Sequence, residues 1–326
     1  MKKEFRIGTR ESELAMWQAN LIKDMLLEVG FQSTLIPIKS EGDIDLKTPL
    51  YEMGVQGIFT RSLDIALLND NIDIAVHSMK DVPTLMPSGI VSGAVIKRGN
   101  YNDLFIVNDK KYHGRKPPSG SFSPLRLSGE YDLLDDDLHS VATIATGSIR
   151  RKAQWLHRFP DHQIVNLRGN VNSRLNKIIE SDWDGAIMAA AGVERINLRP
   201  QSAVELDWML PAPAQGVVLA ACKLGDQDVF NALQKLNDVD TEICVNIERE
   251  FLRALMGGCS TPISALAIAD KNEIFFKGSL LTTDGKSKVE IEKTVSKKNT
   301  EGLGLKMGAE ILKDGGREIL NQITNG

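Results

Sequence analysis

The sequence predicts an α/β protein that ends in a small α+β domain, and three observations predict it. Strand and helix signals alternate from Phe5 to Cys222, the pattern that builds a largely parallel sheet covered by helices. One Pro-, Gly-, Ser- and Asp-rich stretch, near 109–138, interrupts that rhythm. From about residue 262 the pattern changes to three closely spaced strands and then a helix.

The elements follow in order. Phe5 to Gly8 is a short strand. Leu14, Trp17, Leu21, Ile22, Met25 and Leu26 recur at helical spacing, so a helix runs from Ser12 to Val29 with Gly30 as its C-terminal stop. Thr34 to Ile38 is a strand, and the polar stretch 40–57 with its glycines is a loop. A helix over Ile58–Leu68 leads to a buried strand, Ile72–Val76. After the 109–138 insertion come strands at Val141–Ala145, Ile164–Val165 and Gly185–Met188, with helices at Ser148–Arg158 and Val171–Glu180 between them. Val217–Cys222 is an apolar strand, and Val229–Leu236 and Thr241–Met256 are helices. Strands near 263–269, 273–281 and 287–293 precede one long helix from Glu301 to Ile323. At roughly 100–200 residues per domain, the chain of 326 residues divides into two or three.

Composition narrows the function classes. Acidic residues (43) outnumber basic ones (39), which argues against a general nucleic-acid binder. No apolar run reaches the ~20 residues that span a bilayer, and Met1 to Arg6 carries no apolar signal core, so no membrane partner is expected. Cys222, Cys244 and Cys259 are widely spaced and odd in number, which argues against a disulfide framework; no spacing suggests a metal site. A reducing cytoplasm is the expected compartment.

Arginines are the first chemical signal. Arg150, Arg151, Arg158, Arg168, Arg174, Arg195 and Arg199 lie between Thr146 and the end of the second α/β half. Arg150 and Arg151 follow a strand and the turn Thr146-Gly147-Ser148, placing them at a helix start, where backbone N–H groups favour anions and cations oppose the dipole. Arg168 precedes the next helix, which carries Arg174; Arg10 holds the matching strand-to-helix turn of the first half. Ligands of open α/β sheets bind at strand carboxyl ends, and guanidinium forks suit carboxylates. Scattered solvated arginines are the bland alternative. The run Val76-His77-Ser78-Met79-Lys80-Asp81-Val82-Pro83 sets Lys80 and Asp81 at another strand end. Asp81 there is a candidate acid/base or a plain turn residue, and His77 is more often packed core. Gly257-Gly258-Cys259 puts a thiol on an unencumbered loop; a lone cysteine is otherwise a buried apolar residue, which suits Cys222 and Cys244.

Taken together these segments resemble the porphobilinogen deaminase family. The resemblance covers nearly the whole chain. It rests on Gly8-Thr9-Arg10-Glu11-Ser12 with Leu14-Ala15-Met16-Trp17-Gln18-Ala19, on Gly57-Ile58-Phe59-Thr60-Arg61, Asp73 to Pro83, Ser148-Ile149-Arg150-Arg151, Leu167-Arg168-Gly169-Asn170-Val171, Ala191-Gly192-Val193-Glu194-Arg195 and Gly257-Gly258-Cys259. It implies two periplasmic-binding-protein-like lobes with a central cleft: 1–98 with 204–226, and 99–203, crossing near 98–103 and 200–206. A C-terminal α+β domain, 227–326, would present the cysteine. It implies four head-to-tail condensations of porphobilinogen and hydrolytic release of a linear tetrapyrrole, on a dipyrromethane cofactor held by a thioether to Cys259. Asp81 would be the central acid/base. Arg10, Lys80, Arg150, Arg151, Arg168, Arg174 and Arg195 would bind the carboxylates of cofactor and substrate, with Ser78, Thr146 and Ser148 as hydrogen-bond partners. The chain would act as a monomer. It departs from the family pattern at Glu52 and Gln56, where lysines are usual, at Gly147, and at Ala214.

On the residues alone two other readings stand. A non-catalytic two-lobe binding protein for small polycarboxylates would bind reversibly and carry no covalent adduct. A cysteine hydrolase is the weaker, since no His/Asp context lies near Cys259.

Overall fold

The computed structural model describes residues 4–39, 60–112, 141–255 and 261–325. The expected lid loop with Glu52 and Gln56, most of the 109–138 insertion, and Cys259 lie outside these residues.

The chain opens with β1 (Glu4–Thr9), α1 (Glu13–Glu28) and β2 (Gln32–Pro37). Ser12 starts α1 by accepting the Ala15 N–H, and Gly30 ends it at φ +90°, a conformation glycine adopts without strain. The helix lays Ala15, Ala19, Ile22 and Leu26 on the sheet. Then come α2 (Arg61–Leu68), β3 (Ile74–Ser78), a single 3₁₀ turn at Met79–Asp81, and β4 (Ile90–Val95). A second set follows: β5 (Asp103–Val107), α3 (Asp109–Tyr112), β6 (Thr143–Ala145), α4 (Ile149–Arg158), β7 (Gln163–Val165), α5 (Val171–Glu180), β8 (Gly185–Ala189), α6 (Ala190–Glu194) and β9 (Ala203–Leu206). β10 (Val218–Lys223) and α7 (Gln227–Gln234) return to the first set. The C-terminal domain holds α8 (Val239–Ala254), β11 (Ile263–Asp270), β12 (Glu273–Leu281), β13 (Lys288–Ser296), α9 (Leu303–Ile311) and α10 (Arg317–Asn325).

Two five-stranded sheets share one plan. The first runs β2-β1-β3-β10-β4, with β1 parallel to β2 and β3, and β10 antiparallel to both neighbours. The second runs β7-β6-β8-β5-β9, with β6 parallel to β7 and β8, and β5 antiparallel to both neighbours. Each lobe thus takes one strand next to a chain crossing. Separate apolar clusters cover the two faces of each sheet, so each lobe has its own core. The C-terminal sheet is an antiparallel meander, β11-β12-β13, packed on α8 and α9.

Three features differ from the sequence expectation. β4 and β5 carry no clear pattern: β4 is broken by Ser92-Gly93, where a Cβ on Gly93 would come within 2.3 Å of Leu233 on α7. The return crossing lies at about 207–217 rather than 200–206. Val204 and Leu206 pack in the second lobe's core and β9 pairs with β5, so residues 204–206 belong to the second sheet and not to the first lobe. The long final helix is two helices, parted where Asp314 leaves helical geometry and Gly315 takes φ +106°.

Candidate active site

The carboxyl ends of the parallel strands bring the site together. From the first lobe, Arg10 follows β1, Ser78 ends β3, and Lys80 and Asp81 stand on the turn after it, both open to water. From the second, Thr146 and Ser148 follow β6, Arg150 and Arg151 sit on the first turn of α4, Arg168 follows β7, Arg174 lies on α5, and Arg195 follows α6. Fields cross the gap: Asp81 acts on Arg174, and Arg150, Arg151 and Asp103 act on Lys80. The lobes also touch directly. Asn172 Nδ2 donates to Glu13 Oε2 at 2.9 Å, and the Arg195 guanidinium lies 5.3 Å from the Trp17 ring.

Arg150 and Arg151 are 4% and 5% exposed, and their side chains turn to a residue absent from the sequence reading, Asp103, which is fully buried. Arg150 Nη2 donates to Asp103 Oδ2 at 2.7 Å, and Arg151 Nη2 to Oδ1 at 2.8 Å. Arg150 Nη1 meets the Leu210 carbonyl, Arg151 Nη1 that of Ile187, and Gln215 Nε2 adds a bond to Asp103. Burial alone would raise the Asp103 pKa; the two guanidinia hold it well below the usual carboxylate range. One carboxylate thus gathers two arginines and leaves an excess positive charge. Asp103 is the first residue of β5 and shows no motif of its own; only an acidic residue where the chain enters the second lobe could have flagged it.

The remaining cations are shorter of carboxylates. Arg174 donates from Nε to the Gly169 carbonyl at 2.8 Å. Burial, with Arg151 and Arg168 nearby, pushes its pKa down to about 10. Arg195 donates to the Gly216 carbonyl at 2.7 Å and is brought to about 10 by burial. Lys80 reaches solvent between protein walls that thin its hydration. That loss is the main cause that lowers it to about 8; Arg151 and Arg150 add to it, and Asp81 and Asp103 oppose it. Arg168 is buried, and its carbonyl accepts from Lys177.

The neutral partners are fixed locally. Gln18 Nε2 donates to Ser78 Oγ at 2.9 Å from a buried position, so Gln18, part of one of the stretches that carry the resemblance but given no role there, joins the site. Thr146 Oγ1 accepts from the Ser148 N–H. A Cβ at Gly147 would stand 2.4 Å from the Leu167 carbonyl, so this backbone requires glycine. His77 points into the core; burial first, then Arg10, push it down to about 4, so it stays neutral. Cys222 and Cys244 are free and buried, and burial raises both to about 11. Among the described residues no group of three or more His, Cys, Asp or Glu is placed to hold a metal, and no helix is long and apolar enough to cross a membrane.

The crossings close the back of the cleft. Gly99 N–H donates to the Gly216 carbonyl at 3.0 Å, and Gln215 Nε2 to that of Tyr101 at 2.8 Å. Gly216 takes φ +82° with the Gly99 and Asn100 carbonyls 3.0 Å from where a Cβ would sit. Ala214 keeps the left-handed backbone, φ +61°, at a position where a non-glycine residue costs roughly 1–2 kcal/mol.

Known proteins resemble the chain on two levels. Solved structures with weak likeness include the periplasmic VFT2 domain of BvgS from Bordetella pertussis (TM-score 0.41, 12% identity, 72% of this chain and 86% of that one). Another is an arginine-specific periplasmic binding protein of Salmonella typhimurium (TM-score 0.38, 8% identity, 74% and 94%). The two-lobed fold rests on the strand orders above and not on these scores. The sequence itself is 35% identical, over 97% of this chain and 94% of the relative, to porphobilinogen deaminase of Syntrophotalea carbinolica. Residues 5–231 match the family model "porphobilinogen deaminase, dipyromethane cofactor binding domain", and 242–313 match that of the "porphobilinogen deaminase, C-terminal domain". With both domain models in order along it, the chain belongs to the porphobilinogen deaminase family.

Proposed function

We infer that the chain is a hydroxymethylbilane synthase, a transferase of tetrapyrrole biosynthesis. It condenses four porphobilinogen molecules head to tail with loss of ammonia and releases the linear tetrapyrrole by hydrolysis. The observation that carries the reading is Asp81, an open carboxylate in a cleft whose other charged groups are mostly cations of both lobes. Porphobilinogen bears an acetate and a propionate, so every added ring brings two more carboxylates to neutralise. A chain with a net charge of −4 concentrates positive charge here for that purpose.

In each addition the substrate's aminomethyl C–N bond breaks and the nitrogen leaves as ammonia. The methylene carbon bonds to the free α-carbon of a neighbouring pyrrole, whose α-hydrogen leaves as a proton. Asp81 is read as the group that offsets positive charge at the pyrrole nitrogen and takes up the displaced proton. Arg10, Lys80, Arg168, Arg174 and Arg195 are read as carboxylate holders, and the pair Arg150 and Arg151, gathered on Asp103, as a fixed positive wall. Ser78, Thr146 and Ser148 supply neutral hydrogen bonds.

The donor set fits a resident polycarboxylate. Among the described residues Arg150 Nε is buried without a hydrogen-bond partner, and the Arg174 and Arg195 guanidinia bond backbone carbonyls, which leaves N–H groups able to take carboxylates. When bound, the dipyrromethane supplies the primer from which the product grows. Cys259 is read as its attachment point. A monomeric enzyme in a reducing cytoplasm is the reading of its setting; Cys222 and Cys244 as free, buried thiols support it.

The test is Asp81→Asn. It should fold and load cofactor like the parent while turnover falls about 10²-fold or more. Turnover within a few-fold of the parent contradicts the role of Asp81. An intact-protein mass with two linked porphobilinogen units, mapped to Cys259, is expected as well. A chain that gains no such mass after incubation with porphobilinogen points to reversible polycarboxylate binding.

A further inference from the structure

Arg249 lies on α8 of the C-terminal domain, outside the sequence stretches that carried the resemblance. It is half-buried, and it reaches into the first lobe. Its Nη1 donates to the Val82 carbonyl at 3.0 Å, and its Nη2 to the carbonyl of Pro83. Those two carbonyls directly follow Asp81. Val82 is itself buried, in one apolar cluster with Val245 of α8, so packing and hydrogen bonds join the same two segments.

The chemistry of Arg249 is unusual for a packing residue. Burial pushes its pKa down to about 10, and among the described residues no carboxylate opposes that shift. A cation partly withdrawn from water whose partners among the described residues are two carbonyl oxygens costs folding energy. An apolar side chain would join α8 to the first lobe at lower cost. What the guanidinium adds is a rigid fork whose two ends fix two successive carbonyls. The other side of the turn is tied within the first lobe: Met79 N–H donates to the Val217 carbonyl at 3.0 Å, and Val82 N–H to that of Met79 at 3.2 Å. The turn Met79–Asp81 is thus clamped at entry by Val217, the residue just ahead of β10, and at exit by α8, while the Lys80 and Asp81 side chains stay open to the cleft.

We propose that Arg249 is a positioning residue for Asp81: by holding the exit of the 79–81 turn it sets where the Asp81 carboxylate stands against the substrate. The inference rests on reading Asp81 as the acid/base. A misplacement of about 1 Å at such a group can lower turnover about 10²-fold without touching substrate binding.

The experiment compares Arg249→Leu, Arg249→Lys and Asp81→Asn as purified holoenzymes. Bound dipyrromethane is read by intact mass, kcat and KM with porphobilinogen, and amide hydrogen exchange over residues 78–86. The expected result for Arg249→Leu is normal loading, KM within about twofold, kcat lower by about tenfold or more, and faster exchange over 78–86. Arg249→Lys, which keeps a cationic donor, should recover part of the kcat and part of the protection. A loaded Arg249→Leu enzyme with parental kcat, or with only KM changed, overturns the inference. If Arg249→Leu does not fold, Arg249→Lys decides: a kcat lowered at constant KM supports positioning, and an unchanged kcat overturns it. Asp81→Asn separates the two levels. Retained turnover there removes the acid/base reading and this inference with it; lost turnover beside a fully active Arg249→Leu removes the inference alone.

Discussion

Lys80 and His77 stand three residues apart, and lost hydration lowers both, by full burial at His77 and by the surrounding walls at the solvent-reaching Lys80, with opposite consequences for the enzyme. Lys80, at about 8, loses its charge near working pH. Free enzyme above that pH presents a neutral amine to the substrate's carboxylates, so kcat/KM should fall as pH rises through about 8. Lys80→Arg keeps its charge, and its alkaline limb should move upward; an unmoved limb counts against Lys80 as a carboxylate holder. His77 sits at about 4 in the fold against 6.5 in a free side chain, facing Arg10 and, at 3.9 Å, Asp64. Its folded pKa is lowered, so the unfolded chain binds the proton first. Stability is intact above 6.5 and is lost as pH falls from 6.5 towards 4, by on the order of 3 kcal/mol at pH 4. His77→Gln should remove that part of the acid sensitivity, seen as a flatter denaturation midpoint between pH 6.5 and 4. These two roles come from the surroundings: the sequence places His77 in a strand and Lys80 at its end, but the shifts arise first from lost hydration and then from Arg10 at His77 and from Arg151 and Arg150 at Lys80, where Asp81 and Asp103 oppose them; all of this only folding supplies.

Among the elements, α4 does the most. Its first turn carries Arg150 and Arg151. Its middle holds Gln154, which accepts from Leu210 N–H at 2.8 Å and donates to the Leu210 carbonyl and Ser264 Oγ. Its last turn receives the hairpin between β12 and β13: His157 Nδ1 bonds the Gly285 carbonyl at 2.7 Å. Gly285 has φ +75°, and a Cβ there would lie 2.5 Å from the Ala153 carbonyl. Gly285→Ala adds the left-handed cost of about 1–2 kcal/mol to that collision. It should lower stability by roughly 2–3 kcal/mol and loosen the C-terminal domain from α4. An unchanged denaturation midpoint would show that the hairpin does not dock there in solution. The boundaries of α4 were legible because Ser148 to Arg158 keeps a helical period. Its three partners were not, since hairpin, crossing and β5 are each separate stretches of chain. β4 and β5 escaped notice for a related reason: short strands broken by glycine or opened by a charge carry too little alternation to read.

Across the whole molecule, Glu248 of α8 is where first lobe, crossing and C-terminal domain meet. Fully buried, it accepts from Arg98 at 2.8 Å, Ala214 N–H at 2.6 Å and Ala267 N–H at 2.7 Å. Burial raises its pKa, and Arg98 with the two N–H groups opposes that rise. Glu248→Gln leaves Arg98 without its charge partner and turns an amide N–H₂ toward a donor. It should cost about 3–5 kcal/mol, read as a lower melting temperature. A melting temperature equal to the parent's would show that the junction is not a unit of stability.

By itself the sequence determined what local order can write: the strand–helix rhythm, the separate final domain, the turn bearing Asp81, the cations at strand ends, and the motifs that match the family. These are legible because periodicity, turn chemistry and contiguous motifs each act over a few neighbouring residues. Tertiary structure alone decided which charges meet. Asp103 gathers Arg150 and Arg151 from 47 and 48 residues away, Glu248 holds Arg98 from 150, and Arg249 holds the carbonyls behind Asp81 from 166 and 167. It also decided that Leu206 still belongs to the second lobe, because a strand's sheet is set by the core it buries into. Buried charges need a counter-charge or fixed carbonyls in three dimensions, and no spacing along the chain specifies which partner burial will supply.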